Sequence, residues 1–413
     1  MLNKALGKAL SVSLLNQVVT SGTNFAIVLY LVRVMKKAEF GIYSLGFAVM
    51  LLLAGLISSF IAVQYVVNLP DQHQSQRDDY AVHHANAVAL LGVSLLLLAA
   101  LLLLMPHDVM PGLSTIKPIV MSLSFASASY SLRDFLVRVA YSARRESYVL
   151  YSSVCMTVVV AAGYLILHQL GSGEVNAINA LYVLAVSYLC GAITLAMMLR
   201  LQVTKSSLQG IRTAFVHSWH GGKWNVLAAA LKRAQSQSYN IIVAPFLGLA
   251  AVADLNAARV LVTPAVMMVP PLTQIMLPRM AEDRKSSNSV SLGWTLILLP
   301  GLALAYSAFL LLLIPWLVPL TLGEAYSDVG LLVSFWCAFV VFFSLKSALV
   351  IALQAMRDFK ALMWIGLGSF ILTMVLCFFL AKLNGNPGVI TAMAIAELLT
   401  AALIFFRIKS TTS

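Results

Sequence analysis

A hydrophobic segment of the sequence, WNVLAAALKRAQSQSYNIIVAPFLG at 224–248, carries two cations and a polar run near its middle. Side chains at i, i+4 and i+7 share a helix face, so Arg233, Gln237 and Asn240 form one polar stripe, with Lys232 on the next. A lipid-exposed arginine near the membrane centre costs about 2.5–3.5 kcal/mol. The stripe therefore favours a wet cavity that holds an anion. The alternative is that Lys232 and Arg233 extend to the membrane surface.

The first apolar segment, LLNQVVTSGTNFAIVLYLVR, repeats this arrangement. Asn16, Thr20 and Asn24 lie on one helical face. Small and amide side chains are also typical of plain helix–helix packing, so packing and a substrate pathway both stay open for this stripe alone. Because each half of the chain opens with its most polar segment, we expect both stripes to line one cavity.

Cations outnumber acids inside the apolar segments. Asp134 and Arg138 are spaced i, i+4, which predicts a local ion pair. Glu397 lies near the middle of the last segment, where a structural acid is the favoured interpretation and ion coupling the alternative. The six cations are Arg133, Arg138, Lys232, Arg233, Arg259 and Lys346, against the acids Asp134, Asp254 and Glu397. This balance favours a phosphate or diphosphate ligand over an organic cation.

Composition requires a membrane for these segments. Of 413 residues, 61% are hydrophobic and 10% are charged, which excludes a water-soluble domain. A membrane-crossing helix needs about 20 apolar residues, and twelve such runs are present, with approximate bounds 11–35, 41–67, 82–105, 118–141, 147–168, 178–200, 224–247, 252–277, 291–317, 329–353, 361–381 and 388–407. The sequence predicts an all-α integral membrane protein.

The basic residues predict its orientation. Sixteen Lys and Arg residues, among them Arg77, Arg145 and Arg200, fall on one side of the predicted membrane and five on the other. The positive-inside rule then places both termini in the cytoplasm. The net charge of +12 is explained by such loops facing anionic lipid. No basic stripe with interleaved aromatic residues is present, so we expect no nucleic-acid partner.

A weak internal repeat divides the chain. SLRDFLVRVAYSARR at 131–145 aligns without gaps on SLKSALVIALQAMRD at 344–358, and this places Arg133 on Lys346. Each half holds six predicted spans, so the halves run in the same direction. Parallel repeats of this kind build two-lobed transporters. We therefore expect two parallel six-helix lobes around a central cavity.

The predicted division is an N-terminal lobe at 1–205, a cytoplasmic linker at 206–222 and a C-terminal lobe at 223–413.

The sequence contains no pattern that predicts an enzyme. The predicted outer loops are short, and no G-x-x-x-x-G-K-[ST] pattern for nucleotide hydrolysis is present. The four cysteines lie far apart in apolar runs. We expect no catalytic residues, no cofactor and no metal site.

Three short stretches resemble one known family in order and spacing. The stretch KKAEFGIYSLGFAVMLL at 36–52 resembles the loop and second span of bacterial polysaccharide exporters, carried by Glu39, Phe40, Gly41 and Tyr43. LGEAYSDVGLLV at 322–333 resembles their Gly-x-x-Tyr turn, as Gly323 and Tyr326, and LTQIMLPRMAED at 272–283 resembles their Leu-Pro ending of the eighth span. The family often has Gly-x-Tyr at the start of that span, where this chain has Ala253, Asp254 and Leu255.

The resemblance implies an O-antigen-type flippase of the multidrug/oligosaccharidyl-lipid/polysaccharide exporter superfamily, in the bacterial inner membrane. Such proteins pass undecaprenyl-diphosphate-linked oligosaccharide to the periplasmic leaflet. The partners implied are that substrate, membrane lipids, and polymerase or assembly proteins. On this hypothesis, four cations attract the diphosphate: Arg233 and Arg259, with Lys232 and Lys346. The sugar site is lined by Asn16, Thr20, Asn24, Gln237 and Asn240.

Two rival functions remain open from the sequence. A cation-coupled multidrug antiporter of the same superfamily would require Glu397 or Asp134 to be essential. A membrane glycosyltransferase or polymerase would need an acid or a histidine in a substantial outer loop, which the sequence does not offer.

Overall fold

The structure is a computed structural model of the 413-residue chain. It describes the backbone except at residues 1, 70–71, 105–116, 171–174, 202–206, 286–289, 357 and 413. Some further side chains within helices lie outside the described part, chiefly in 1–10, 220–236 and 270–293. Throughout the described backbone, the regular secondary structure is helical, as the sequence predicts.

Twelve α-helices account for most of the described chain. They are α1 Leu2–Val34, α2 Lys37–Ile57, α3 Val63–Asn68, α4 Arg77–Leu104, α5 Val120–Ser142, α6 Glu146–Leu170, α7 Ala177–Met198, α8 Leu208–Leu247, α9 Leu249–Lys285, α10 Val290–Leu322, α11 Gly330–Ala355 and α12 Phe359–Thr412. A π-helical turn at Ser58–Ala62 joins α2 to α3, and a 3₁₀ turn at Glu324–Val329 precedes α11. Each of the twelve predicted spans overlaps one of these helices.

Nine helical stretches among the described residues are long and apolar enough to cross a membrane. α5 is not among them, and it carries Arg133, Asp134 and Arg138 along its length. Large apolar side chains such as Leu104 and Leu312 are exposed on the outer faces of these helices, where lipid would contact them. The protein is an all-helical, multi-pass membrane protein.

The longest helix, α12, reverses direction within its length. Gly385 has φ +59° and ψ −139°, a conformation open mainly to glycine. Residues on either side of it contact each other in pairs: Thr400 donates a hydrogen bond to Ser369 Oγ at 2.7 Å, and Cys377 Sγ lies 3.9 Å from the carbonyl of Val389. α12 is therefore a helical hairpin, whose two arms match the last two predicted spans.

The open end of this hairpin is joined by Asp358 and Arg407, whose Oδ2 and Nη2 atoms lie 2.8 Å apart. The backbone amide of Ala361 also donates to Asp358 Oδ1 at 3.1 Å, so Asp358 caps the start of α12. These hydrogen bonds, first from Ala361 and then from Arg407, hold the pKa of the Asp358 carboxyl below its usual value.

The stretch predicted as a linker at 206–222 is helical from Leu208 onward. Phe215 and Trp219 both pack against Phe60, with ring centroids 6.3 Å apart in each case. Ala214 is buried in the same apolar cluster. These aromatic contacts explain why this polar sequence forms the beginning of α8 and not a loop.

The chain forms two compact units. The first comprises Met1–Ile27, Val34–Glu39 and Leu45–Arg233, and the second comprises Val28–Arg33, Phe40–Ser44 and Ala234–Ser413. The predicted lobe boundaries at 205 and 223 stay a prediction.

Each unit has its own packed interior. In the first, α5 packs against α4 and α7, and Phe135 and Leu195 are fully buried. In the second, α11 packs against α9, α10 and α12, and Trp336 and Leu353 are fully buried. Lipid tails are as apolar as these side chains, so close packing and interhelical hydrogen bonds, more than hydrophobic transfer, hold such helices together.

The residues that carry the family resemblance have structural roles within the second unit. Phe40 is buried and meets the Tyr326 ring edge-on, with centroids 6.4 Å apart. Gly323 has φ +83°, which lets the chain turn from α10 into the segment that buries Tyr326. A side chain at Gly41 would overlap the backbone carbonyl of Leu249. Gly41 therefore permits α2 to approach the start of α9 closely.

Replacing Gly41 by alanine is expected to destabilise the protein by about 1–3 kcal/mol, because the new methyl group must push the Leu249 backbone aside. Gly366→Ala is a matched control, since Gly366 is also helical but has open space around it. That change should be neutral or stabilising by up to about 1 kcal/mol. Unfolding of both variants in detergent would test this, and equal stabilities would refute the close approach.

Candidate functional site

A buried polar network surrounds Arg259 on α9. Its guanidinium donates a hydrogen bond to the Tyr239 hydroxyl and lies over two aromatic rings, 5.2 Å from the centroid of Tyr239 and 5.6 Å from that of Trp336. Trp336 is itself fixed by a hydrogen bond from Nε1 to the Leu255 carbonyl at 3.1 Å. The aromatic pair holds the cation in place through hydrogen bonding and cation–π attraction.

A chain of amides continues from this cation. Tyr239 donates to Asn256 Oδ1 at 2.9 Å, and Asn256 Nδ2 donates to Asn240 Oδ1 at 2.7 Å. Asn240 Nδ2 then donates to Gln237 Oε1 at 3.1 Å, and both of these side chains are buried. The structure thus brings together three residues that the sequence proposed as site residues: Arg259, Gln237 and Asn240.

Arg259 has no carboxylate partner in the part of the chain that the structure describes. Its contacts are the Tyr239 hydroxyl and two aromatic rings, which are uncharged. An unpaired guanidinium at membrane depth is costly. The arrangement can therefore attract an anion, with amide groups nearby that donate and accept hydrogen bonds.

The polar run in α8 divides between two neighbours. Gln235 Nε2 donates to Ser369 Oγ at 2.8 Å and lies 3.4 Å from Thr373 Oγ1, both in the first arm of α12. Gln237, Tyr239 and Asn240 belong to the Arg259 network instead. The polar side chains of this otherwise apolar helix therefore connect it to α12 on one side and to α9 on the other.

The polar stripe of α1 forms a second network, within the first unit. Ser153 on α6 donates to Asn16 Oδ1 at 2.6 Å and accepts a hydrogen bond from Arg133 Nη2 at 2.8 Å. Thr20 donates to the backbone carbonyl of Asn16 at 2.9 Å. Asn24, one turn further on, is partly buried. In this conformation Asn16 is engaged in helix–helix contact, the packing alternative that the sequence left open.

Arg133 is the buried cation of that network and is 8% exposed. Its Nε lacks a hydrogen-bond partner. A side chain at Gly191 would lie 3.0 Å from this atom, so glycine leaves the space that the guanidinium occupies. Among the described residues, Arg133 forms no ion pair. Among its described residues, each unit thus holds a buried or partly buried arginine whose side-chain contacts are with hydroxyl groups or aromatic rings.

Two pairs of opposite charges in the spans are in contact among the described residues. Lys346 on α11 forms a buried ion pair with Glu397 in the second arm of α12. Asp134 contacts Arg138 at 3.2 Å, which confirms the predicted i, i+4 pair, and it also accepts a hydrogen bond from Ser58 at 2.8 Å. Lys346 and Glu397 neutralise each other here. The sequence suggested diphosphate binding for Lys346, and for Glu397 it favoured a structural role and left ion coupling as the alternative. Those roles, like that of Asp134, stay predictions.

The side chains of Lys232 and Arg233, the cations that first suggested an anion site, lie outside the described residues, so their roles also stay predictions. The sequence did not identify Tyr239, Asn256 and Trp336 as the partners of Arg259. A signal for Asn256 was available, since it precedes Arg259 by three residues and so lies on the same face of α9.

Comparison with known proteins places the chain in a family. Residues 6–283 match the family model described as polysaccharide biosynthesis protein. The chain belongs to this family. No curated protein sequence matches it. The resemblance to bacterial polysaccharide exporters, which the sequence predicted, is confirmed.

Three solved structures to which the chain is similar are transporters. An inward-facing multidrug resistance MATE family transporter of the MOP superfamily has TM-score 0.73 and 14% identity, over 96% of this chain and 95% of its own. The lipid II flippase MurJ, in an inward closed conformation, has TM-score 0.76 and 12% identity, and the match covers 97% of this chain and 87% of MurJ. A MOP superfamily transporter from Pyrococcus furiosus has TM-score 0.63 and 12% identity, and the match covers 98% of this chain and 96% of that transporter. The protein therefore has the fold of a MOP-superfamily transporter.

Proposed function

We propose that this family member is a flippase. It moves undecaprenyl-diphosphate-linked oligosaccharide from the cytoplasmic to the periplasmic leaflet of a bacterial inner membrane by alternating access, without an enzymatic step. An O-antigen or a similar repeat unit is its cargo, and a polysaccharide polymerase and assembly proteins act after it. Both termini lie in the cytoplasm. The family description and the likeness to a lipid II flippase support transport in polysaccharide biosynthesis.

One observation carries the choice of an anionic cargo. Arg259 is fixed by Tyr239 and Trp336, has no carboxylate partner among the described residues, and adjoins the Asn256–Asn240–Gln237 amides. A diphosphate supplies the missing negative charge, and guanidinium groups bind phosphate oxygens through two parallel hydrogen bonds. The amides are suited to sugar hydroxyls.

The rival function, cation-coupled drug export, is less well supported by the charges. It requires Glu397 or Asp134 to be free to take up a cation. Asp134 is held by Arg138 and Ser58, and Glu397 is held by Lys346. The paired state of both acids therefore favours the flippase over the antiporter, although the fold is shared with multidrug transporters.

Deletion of the gene tests the proposal. Lipid-linked oligosaccharide should accumulate in the cytoplasmic leaflet, and surface polysaccharide should be lost, until the wild-type gene is restored. Extracted lipid-linked sugars and their accessibility to a periplasmic glycosidase are the measurements. Normal surface polysaccharide in the deletion strain, together with new sensitivity to cationic dyes, would favour the antiporter instead.

A further inference from the structure

A second basic site lies in the first unit, and it shares no residue with the Arg259 network. It is a cavity of about 750 Å³ at the beginning of α4 and the ends of α5 and α7. Arg77 is the first residue of α4, Arg145 follows α5, and Arg200 follows α7. All three line the cavity and are exposed. The sequence predicts the same side of the membrane for them, the side rich in Lys and Arg.

The cavity has an unbalanced positive charge. Asp78 is the only acid among the residues that line it, so three arginines and one aspartate give a net charge of +2. Within the described chain, none of the three arginines forms an ion pair. Arg145 lies 5.6 Å from the ring centroid of Tyr148, which also lines the cavity and adds a hydroxyl group. The lining therefore combines guanidinium and phenol donors.

A tight turn fixes Arg200 at the end of α7. Arg200 has φ +53° at the end of α7, in the left-handed region where glycine usually ends a helix. The turn is closed by hydrogen bonds from Arg200 N to Met197 O and from Leu201 N to Ala196 O, both 3.1 Å. An arginine is strained in this conformation and glycine is not. The turn places Arg200 at the cavity.

We infer that this cavity binds a phosphate-bearing anion, either a phosphomonoester or a diphosphate. Three arginines offer several planar pairs of N–H donors, the geometry that matches phosphate oxygens. The volume is that of a small-ligand site. The anion is either the headgroup of an anionic lipid or a soluble phosphate compound. The inference concerns binding alone, so it stands whether or not the protein is a flippase.

The test measures binding of inorganic pyrophosphate to the purified full-length protein in detergent by isothermal titration calorimetry. Arg200→Gly removes the guanidinium and suits the local backbone. Arg144→Gly is a matched control, because Arg144 has φ +56° at the end of α5 but does not line the cavity. We expect Arg200→Gly to weaken binding about tenfold or more and Arg144→Gly to change it less than about twofold. Neither should lower the melting temperature.

Arg145→Gln, which removes a lining charge without changing the backbone preference, should also weaken binding. Nanodiscs of phosphatidylcholine with and without phosphatidylglycerol then distinguish the sources. Weaker pyrophosphate binding in the presence of phosphatidylglycerol assigns the cavity to a lipid headgroup, and unchanged binding assigns it to a soluble compound. The inference is overturned if the wild-type protein does not bind pyrophosphate, or if Arg200→Gly and Arg144→Gly weaken binding equally.

Discussion

Replacing Lys346 by methionine is expected to lower the free energy of unfolding by about 3–5 kcal/mol, because the change leaves Glu397 buried without its counter-charge. The two side chains are 17% and 10% exposed, so water does little to solvate the remaining carboxylate. Methionine approximates the length of the lysine side chain, so packing is largely kept. Titration with SDS in mixed micelles measures the unfolding free energy.

The double variant Lys346→Met/Glu397→Gln provides the control for that result. Removing both charges should restore most of the lost stability, since a neutral pair needs no counter-charge. The difference between the double variant and the sum of the single variants gives the coupling energy. If Lys346→Met alone is as stable as the wild-type protein, the ion pair does not form in the folded protein. Export by the stable double variant would show that Glu397 is structural and not a coupling acid.

Replacing Arg259 by glutamine should reduce export of lipid-linked oligosaccharide about 30-fold or more while protein abundance stays normal. Loss of a buried, charge-assisted contact costs about 2–5 kcal/mol, and each 1.4 kcal/mol is about tenfold. The hydrogen bonds that join Tyr239, Asn256, Asn240 and Gln237 do not involve Arg259, so this network should remain folded. The measurement is the rate of appearance of oligosaccharide in the outer leaflet in a complemented deletion strain.

Lys382→Gln is the matched control for Arg259. Lys382 is a cation of the same unit that also lies over two aromatic rings, 4.2 Å from Phe378 and 5.5 Å from Phe246. It has no part in the amide network, so its loss should leave export close to the wild-type rate. Equal export in the two variants would remove the argument for an anionic cargo at Arg259.

Helical periodicity predicted most of the fold. Each of the twelve apolar runs overlaps a helix, and the i, i+4 spacing identified the Asp134–Arg138 pair, because both depend on contacts within a few residues along the chain. The start of α8 was missed, since a polar sequence gives no sign of the Phe60 contact that supports its helical form. Local pattern gives the helices, whereas tertiary contacts decide where some of them begin.

The partners of the site residues were less predictable. Lys346 has no acid within a helical turn, and its counter-ion Glu397 lies 51 positions further on. Ser153, which joins Asn16 to Arg133, is on α6 and has no sequence relation to α1. Such contacts depend on which faces of two distant helices pack together. The periodicity of a single sequence does not predict that packing. Arg133 and Glu397, which the sequence placed within spans, are buried, but the sequence did not identify the groups that contact them.

The reversal at Gly385 has a topological consequence. Because Arg407 lies beside Asp358, the carboxyl-terminal end of α12 is on the same side of the membrane as the link that follows α11. A reporter enzyme fused after Ser413 therefore reports the compartment of that link as well as its own. One fusion, active only in the cytoplasm or only in the periplasm, would fix the orientation of the hairpin without any cysteine labelling of internal loops.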